Sequence, residues 1–142
     1  MYFKSFFLLC FTFLSFLKAD GSVSLAIEGN TEFIGKWKIM EAKIDGSKVN
    51  IRGKILFEKN TFSGNIGCNT FFGQYLTMDL HTLTLSPRGA TQKKCSKKSI
   101  NKESKFLKFF YGNFLLSRDF RGYLVLQNPR MILWLKPNNP LF

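Results

Sequence analysis

The sequence has few of the residues on which catalytic and metal sites depend. Its 142 residues include one histidine, His81, and three cysteines. No C-x-x-C pair indicates a redox site, and no Gly-Lys-Ser/Thr motif indicates a phosphate-binding loop. Asp79 and His81 could face the same side of a strand, but no serine or cysteine nucleophile is recognisable beside them. The sequence therefore predicts no enzyme activity, no cofactor and no metal site.

A long apolar run is also missing. The longest, residues 5–17, would span about 20 Å as a helix, against about 30 Å of hydrocarbon in a bilayer. It follows Lys4 and ends before Lys18 and Ala19, a pattern typical of a secretory signal peptide. A buried N-terminal helix and a short membrane anchor are the alternatives. Lipoprotein processing is less well supported, because Cys10 lies in the middle of the run.

These features predict a chain with one exported domain. We expect a signal peptide at 1–19, a short polar lead-in at 20–32 and a single domain at 33–142. Cleavage after Ala19 would leave a periplasmic or secreted protein that is no longer integral to a membrane.

Acidic residues are scarce. The chain has 21 Lys and Arg against 9 Asp and Glu, and loss of Lys4 and Lys18 leaves 19 against 9, a net charge of +10. A net charge of this size on a small domain produces a positive electrostatic field that attracts anionic partners. Export argues against nucleic acid, so anionic lipid, polysaccharide or another envelope component is the expected partner. A basic surface that only aids solubility is the alternative.

Cys68 and Cys95 remain once Cys10 is removed with the signal peptide. Two cysteines in a small exported domain are usually joined, and this pair would close a loop of about 28 residues, worth about 3.5 kcal/mol of stability. A redox pair, a zinc site that uses His81, and a catalytic thiol are the other interpretations. We predict a structural disulfide.

Alternating apolar residues indicate a chain composed mainly of strands. The residues that this alternation places together on one face are Trp37 and Ile39, Ile55 and Phe57, and Leu83 and Leu85. Asp45-Gly46 and Lys59-Asn60 are typical of tight turns. Asn101 is a candidate N-cap for one helix from Lys102 to about Leu116, with Glu103 in its first turn. The candidate strands are 34–43, 54–58, 61–66, 74–80, 83–85, 120–127 and 131–136.

Several short motifs follow one another along the chain in an order that is informative together. A Ser-Gly-x-x-Gly-Cys-Asn sequence at residues 63–69, with Thr91-x-x-x-Cys95 further on, is the most specific part. The other pieces are Gly35-Lys36-Trp37, Phe57, Asn60-Thr61-Phe62, Phe72-Gly73-Gln74-Tyr75, Glu103, Phe106, 123–126 and 132–135. In this order the motifs resemble the META domain, the family that includes the bacterial heat-shock protein HslJ.

The resemblance implies an α+β fold of mainly antiparallel strands, as a curved sheet or small barrel with one helix packed against it. It also implies a protein that is often exported, has no established enzyme activity and is linked to envelope stress and antibiotic tolerance. This chain departs from the family in lacking a lipoprotein cleavage site and in being more basic.

Two functions are therefore expected. The first is a non-catalytic envelope or secreted protein that binds a partner. The alternative is a small-molecule or lipid-binding barrel, whose pocket would be lined by an aromatic interior. The residues expected there are Trp37, Phe57, Phe72, Phe110 and Trp134.

A dense group of lysines marks the candidate contact with an anionic partner. Seven lie within sixteen residues, at 93, 94, 97, 98, 102, 105 and 108. Lys98, Lys102 and Lys105 are four and three residues apart, so a helix would present them together on its solvent side. We predict a face of Lys97, Lys98, Lys102 and Lys105 for an anionic partner. A solvated helix surface is the alternative.

Overall fold

The computed structural model describes residues 32–139, which form nine strands and one helix. The predicted signal peptide, its Cys10 and nearly all of the lead-in lie outside the described residues. In chain order the elements are β1 (Gly35–Ile44), β2 (Ser47–Val49), β3 (Gly53–Phe57), β4 (Thr61–Asn65), β5 (Thr70–Thr77), β6 (Thr82–Ala90), α1 (Lys97–Phe109), β7 (Gly112–Arg118), β8 (Leu124–Gln127) and β9 (Met131–Pro137).

The strands close into a small antiparallel barrel. From β3 onward each strand pairs with the next, β3 also pairs with β1, and β9 returns to pair with β1 from Trp37 opposite Pro137 to Ile44 opposite Met131. Eight strands therefore form the barrel, and β2 pairs only with the end of β1. Of the two predicted forms, a curved sheet or a small barrel, the structure has the barrel.

Strand alternation places the apolar side chains inside. Trp37 and Ile39 on β1, Ile55 and Phe57 on β3, and Leu83 and Leu85 on β6 are all buried, as predicted. A barrel of about eight strands has an interior just wide enough for side chains. Here aromatic rings fill much of it, in mostly edge-on or tilted contacts between 5.2 and 6.5 Å.

The two ends of the barrel are closed differently. At one end, here called the helix end, α1 places Phe106 and Phe110 against Phe71, with ring centroids 5.6 Å away in each case. At the other, the Phe33 end, Phe33 covers the core and its carbonyl accepts a hydrogen bond from Trp37 Nε1 at 2.6 Å.

The helix boundaries predicted from the sequence were wrong. The N-cap is Ser96, whose Oγ accepts from Ser99 N at 3.2 Å, and α1 ends at Phe109 rather than near Leu116. Phe106, Phe110 and Phe114 are spaced by four, which fits a helix, but Gly112 has a φ of 80° and the chain continues as strand β7. Phe114 is buried from that strand.

The predicted turns are present, and one strand glycine makes a close contact with a ring. Asp45 and Gly46 have φ of 51° and 77°, and Asn60 has a φ of 66°, as tight hairpins require. A Cβ on Gly64 would overlap the Phe71 ring, so this ring packs against bare backbone there. Two strands are longer than predicted, since β5 begins at Thr70 and β6 continues to Ala90. Within 32–139, the helix is too short and too polar to span a bilayer.

Candidate functional site

The predicted lysine face lies on α1 at the helix end of the barrel. Lys97, Lys98 and Lys105 are exposed, and Lys102 is half-buried at the edge of the face. Because the helix begins at Lys97, all four belong to it, and Lys97 and Lys98 lie in its first turn. The positive end of the helix dipole disfavours cations in that position. Lys93 and Lys94 are exposed in the segment that leads into the helix.

The lysines of α1 outnumber the acids near them. The three ion pairs among residues 32–139 involve Arg121 and Arg130, and none involves a lysine of α1. The helix contains one acid, Glu103, and it is buried on the opposite side. Asp45 is paired with Arg130, which lowers the pKa of its carboxyl, and it is also close enough to Lys105 and Lys108 for their charges to lower that pKa. The face therefore carries a net positive charge.

A buried hydrogen bond holds α1 against the barrel. Glu103 is 6% exposed, and its Oε2 accepts from the main-chain N–H of Asn69 at 2.9 Å. The sequence predicted that Glu103 lies in the first turn of the helix. This prediction was wrong, because the helix starts six residues before Glu103. Its role is to join the middle of α1 to the loop between β4 and β5.

Asn69 also fixes the segment that leads into the helix. Its Oδ1 accepts from Lys93 N at 2.7 Å and from Thr91 Oγ1 at 3.1 Å. Cys68, its neighbour, is bonded to Cys95 with Cα atoms 6.1 Å apart, within the window of about 4.4–6.8 Å that a disulfide allows. The disulfide and Asn69 thus anchor both sides of the lysines at 93 and 94. The sequence analysis missed the role of Asn69, although its place beside Cys68 in the motif was the available signal.

The far end of α1 is held by the turn between β8 and β9. Asn128 Nδ2 donates to the Phe109 carbonyl at 3.1 Å, and the Arg130 guanidinium lies 4.8 Å above the Phe109 ring. Arg130 also pairs with Asp45, and this hydrogen bond lowers the pKa of the Asp45 carboxyl. The helix is therefore fixed at its start, middle and end.

The aromatic pocket expected from the sequence is not formed as predicted. Trp37, Phe57 and Phe110 lie in the core, but Phe72 is 46% exposed and Trp134 faces outward with Lys43 near its ring. Side chains alternate between the two faces of a strand, and the residues next to Phe72 on β5 and next to Trp134 on β9 are buried. Phe72 and Trp134 therefore lie on the outer side of the barrel. The three expected residues that are inside pack against other side chains.

The acid-base pair considered at Asp79 and His81 lies in the turn between β5 and β6, not along a strand. Asp79 Oδ1 accepts from the main-chain N–H of His81 at 2.7 Å, which lowers the pKa of the carboxyl. Asp79 thus stabilises the turn. Over residues 32–139, no three or more His, Cys, Asp or Glu side chains are grouped so that they could hold a metal ion.

Two solved structures are similar to this barrel. A protein from Burkholderia xenovorans, studied by NMR, has 16% identity and a TM-score of 0.59, over 75% of this chain and 84% of that one. A lipocalin-like protein from Bacteroides uniformis has 18% identity and a TM-score of 0.50, over 75% of this chain and 98% of that one. At these identities the likeness shows the fold alone. No curated protein is similar enough in sequence to count as a relative.

The sequence model of the META domain matches residues 31–136, from just before β1 to the end of β9. This match confirms the resemblance drawn from the Gly-Cys-Asn motif, whose cysteine and asparagine anchor the segment before α1. The chain belongs to the META domain family.

Proposed function

We propose that this protein is an exported, non-catalytic binding protein that meets an anionic lipid surface of the cell envelope through the lysine face of α1. The observation that carries the proposal is the net positive charge of that face, whose lysines form no ion pair, on a helix fixed at three points. The same proposal includes a role in stress or antibiotic tolerance, because the family that includes HslJ is linked to both.

The shape of the site favours a surface over a pocket-bound ligand. The helix lies across one end of the barrel, so Lys97, Lys98 and Lys105 project from a convex face. Like charges so close together repel one another, and an anionic surface relieves this repulsion. A ligand inside the barrel is the weaker candidate, because packed aromatic side chains occupy the interior.

Export has its own test. If the first residues form a signal peptide, the exported protein begins at Asp20, and N-terminal sequencing or intact mass should show loss of 1–19. The bonded Cys68 and Cys95 are compatible with an oxidising compartment. A full-length protein that stays embedded in the membrane would contradict this part of the proposal.

Binding is tested with the mature protein and sedimented vesicles that contain phosphatidylglycerol, with phosphatidylcholine vesicles for comparison. Binding should be specific for the anionic vesicles. It should also weaken steeply between about 50 and about 300 mM salt, as the Debye length shortens from about 14 to about 6 Å. A variant with Lys97, Lys98, Lys102 and Lys105 changed to Gln should lose most of the binding.

A matched control changes four other exposed lysines to Gln, on the outer side of the barrel. These are Lys36, Lys38, Lys54 and Lys136. Both variants have the same net charge, so a lipid site on α1 predicts that only the first loses binding. No binding at low salt, or an equal loss in both variants, would refute the proposal.

A further inference from the structure

Three lysines stand side by side on neighbouring strands on the outer side of the barrel. Lys38 on β1 is directly opposite Lys136 on β9 and directly opposite Lys54 on β3. All three are exposed, and the apolar residues next to them are buried, namely Trp37, Ile39, Ile55 and Leu135. Directly opposite residues on one face have Cβ atoms about 5 Å apart. We call these three residues the lysine row.

No acidic residue lies opposite the lysine row on the neighbouring strands. Along the same line of the sheet, Lys54 is opposite Asn65 on β4, and Asn65 is opposite Thr70 on β5. None of the ion pairs among residues 32–139 involves the row. Like charges directly opposite on a sheet destabilise it. This arrangement therefore has a cost in the free protein that a bound anion would remove.

A second line of residues runs beside the lysine row and has a different character. Lys36 is opposite Leu56, Leu56 is opposite Ser63, and Ser63 is opposite Phe72. Between the two lines lies a groove of about 320 Å³, lined in part by Lys36, Lys54, Ser63, Asn65 and Thr70. Leu56, Ser63, Asn65 and Thr70 are half-buried, and Asn138 after β9 also lines the groove. Cations, hydroxyls, an amide and an apolar floor thus meet in one concave surface.

Phe72 forms the aromatic border of this surface. Its ring is 46% exposed and lies over Gly89 of β6, where a Cβ would come within 3.0 Å of the ring. The glycine keeps the ring close to the sheet, as aromatic residues beside strand glycines often are. An exposed ring held in this way offers a flat apolar surface next to the polar groove.

We propose that this outer face binds an acidic saccharide. The lysine row would pair with its carboxylates, Ser63, Asn65 and Thr70 would hydrogen-bond its hydroxyls, and Phe72 would pack against a sugar ring. From Lys136 to Thr70 the face crosses four strand spacings, at most about 19 Å, which is long enough for a short oligosaccharide.

The chemistry of the face favours this ligand over two others. Single-stranded nucleic acid is held by several aromatic side chains on which successive bases stack, and these two lines contain one exposed ring. A bilayer surface is too broad to enter this groove, whereas a single saccharide chain can lie along it. The site shares no residue with the lysine face of α1, and it does not depend on the function proposed for that face.

The test is titration of the mature protein with oligogalacturonate, with a neutral glucose oligosaccharide of the same length for comparison. The acidic probe should bind and the neutral one should bind far more weakly. Changing Lys38, Lys54 and Lys136 to Gln should weaken binding about tenfold or more, and the slope of log affinity against log salt should fall by about two to three. Phe72→Ala should weaken binding without changing that slope.

The matched control changes Lys97, Lys98 and Lys105 to Gln, which removes the same charge from α1. This variant should bind the acidic probe as the unchanged protein does. The lysine-row variant should also unfold at the same temperature or higher, because the repulsion has been removed, so loss of binding cannot be ascribed to misfolding. Four results would overturn the proposal: no binding of oligogalacturonate, equal binding of the neutral probe, equal loss in the α1 control, or tighter binding of single-stranded DNA through the same lysines.

Discussion

Replacing Glu103 with alanine is expected to loosen the attachment of α1 to the barrel. The Glu103 carboxylate is buried and accepts the main-chain N–H of Asn69 at 2.9 Å. Without it, that N–H loses its acceptor in a place where water has little access. An unsatisfied buried donor costs about 1–3 kcal/mol, which for a domain of this size corresponds to a fall in Tm of roughly 5–15 °C.

Two further variants make this measurement specific. Glu103→Gln keeps an oxygen that can accept the same hydrogen bond, so its loss of stability should be clearly smaller than that of the alanine variant. Ser104→Ala changes an exposed residue on the solvent side of the same helix and should change stability by less than about 0.5 kcal/mol.

Thermal and guanidinium unfolding, followed by circular dichroism with the disulfide intact, give the three free energies. The reasoning would be refuted if Glu103→Ala were as stable as Ser104→Ala. It would also be refuted if the glutamine and alanine variants were equally destabilised, since the hydrogen bond would then not be the cause.

Three other perturbations test the barrel and its turns. Changing Cys68 and Cys95 to Ser should lower the free energy of unfolding by about 3.5 kcal/mol, and a reducing agent should lower the melting temperature of the unchanged protein but not of this variant. Gly64→Ala places a methyl group where it overlaps the Phe71 ring and should cost about 1–3 kcal/mol in denaturant unfolding, whereas the neighbouring change Ser63→Ala should cost much less. Arg130 lowers the folded pKa of Asp45, so the pair stabilises the protein above the unfolded pKa of this carboxyl and stops doing so as pH falls through the lower folded value. Asp45→Asn should therefore reduce stability slightly at neutral pH and not at an acidic pH where the Asp45 carboxyl is protonated in the folded protein, and an equal effect at both pH values would show that the ion pair is not the cause.

Local patterns in the sequence were sufficient for much of the barrel. Alternation identified the inward residues of β1, β3 and β6, and turn chemistry identified the hairpins at Asp45-Gly46 and Asn60. These features depend on neighbours a few residues apart, whose physical preferences are the same in any context. The pairing of Cys68 with Cys95 was also predictable, because the compartment and the small number of cysteines left few options.

Only the tertiary structure decided the rest. Phe106, Phe110 and Phe114 fit one helical stripe, and the change to strand at Gly112 arises because β7 must pair with β6 to continue the barrel. From the sequence, Glu103 is an acid of the kind found in the first turn of a helix. Its buried position depends instead on a hydrogen bond with Asn69, which is distant along the chain.

The lysine row is the clearest example of a feature that the sequence alone does not reveal. Lys38, Lys54 and Lys136 are far apart in the sequence, and each alternates with apolar residues as any exposed strand residue does. They become neighbours because closure of the barrel pairs β9 with β1 and sets a register in which the three lysines face one another. By itself, the sequence determined which residues face outward on these strands. The register, which is set by long-range pairing and the packing of the core, determined which of them stand together.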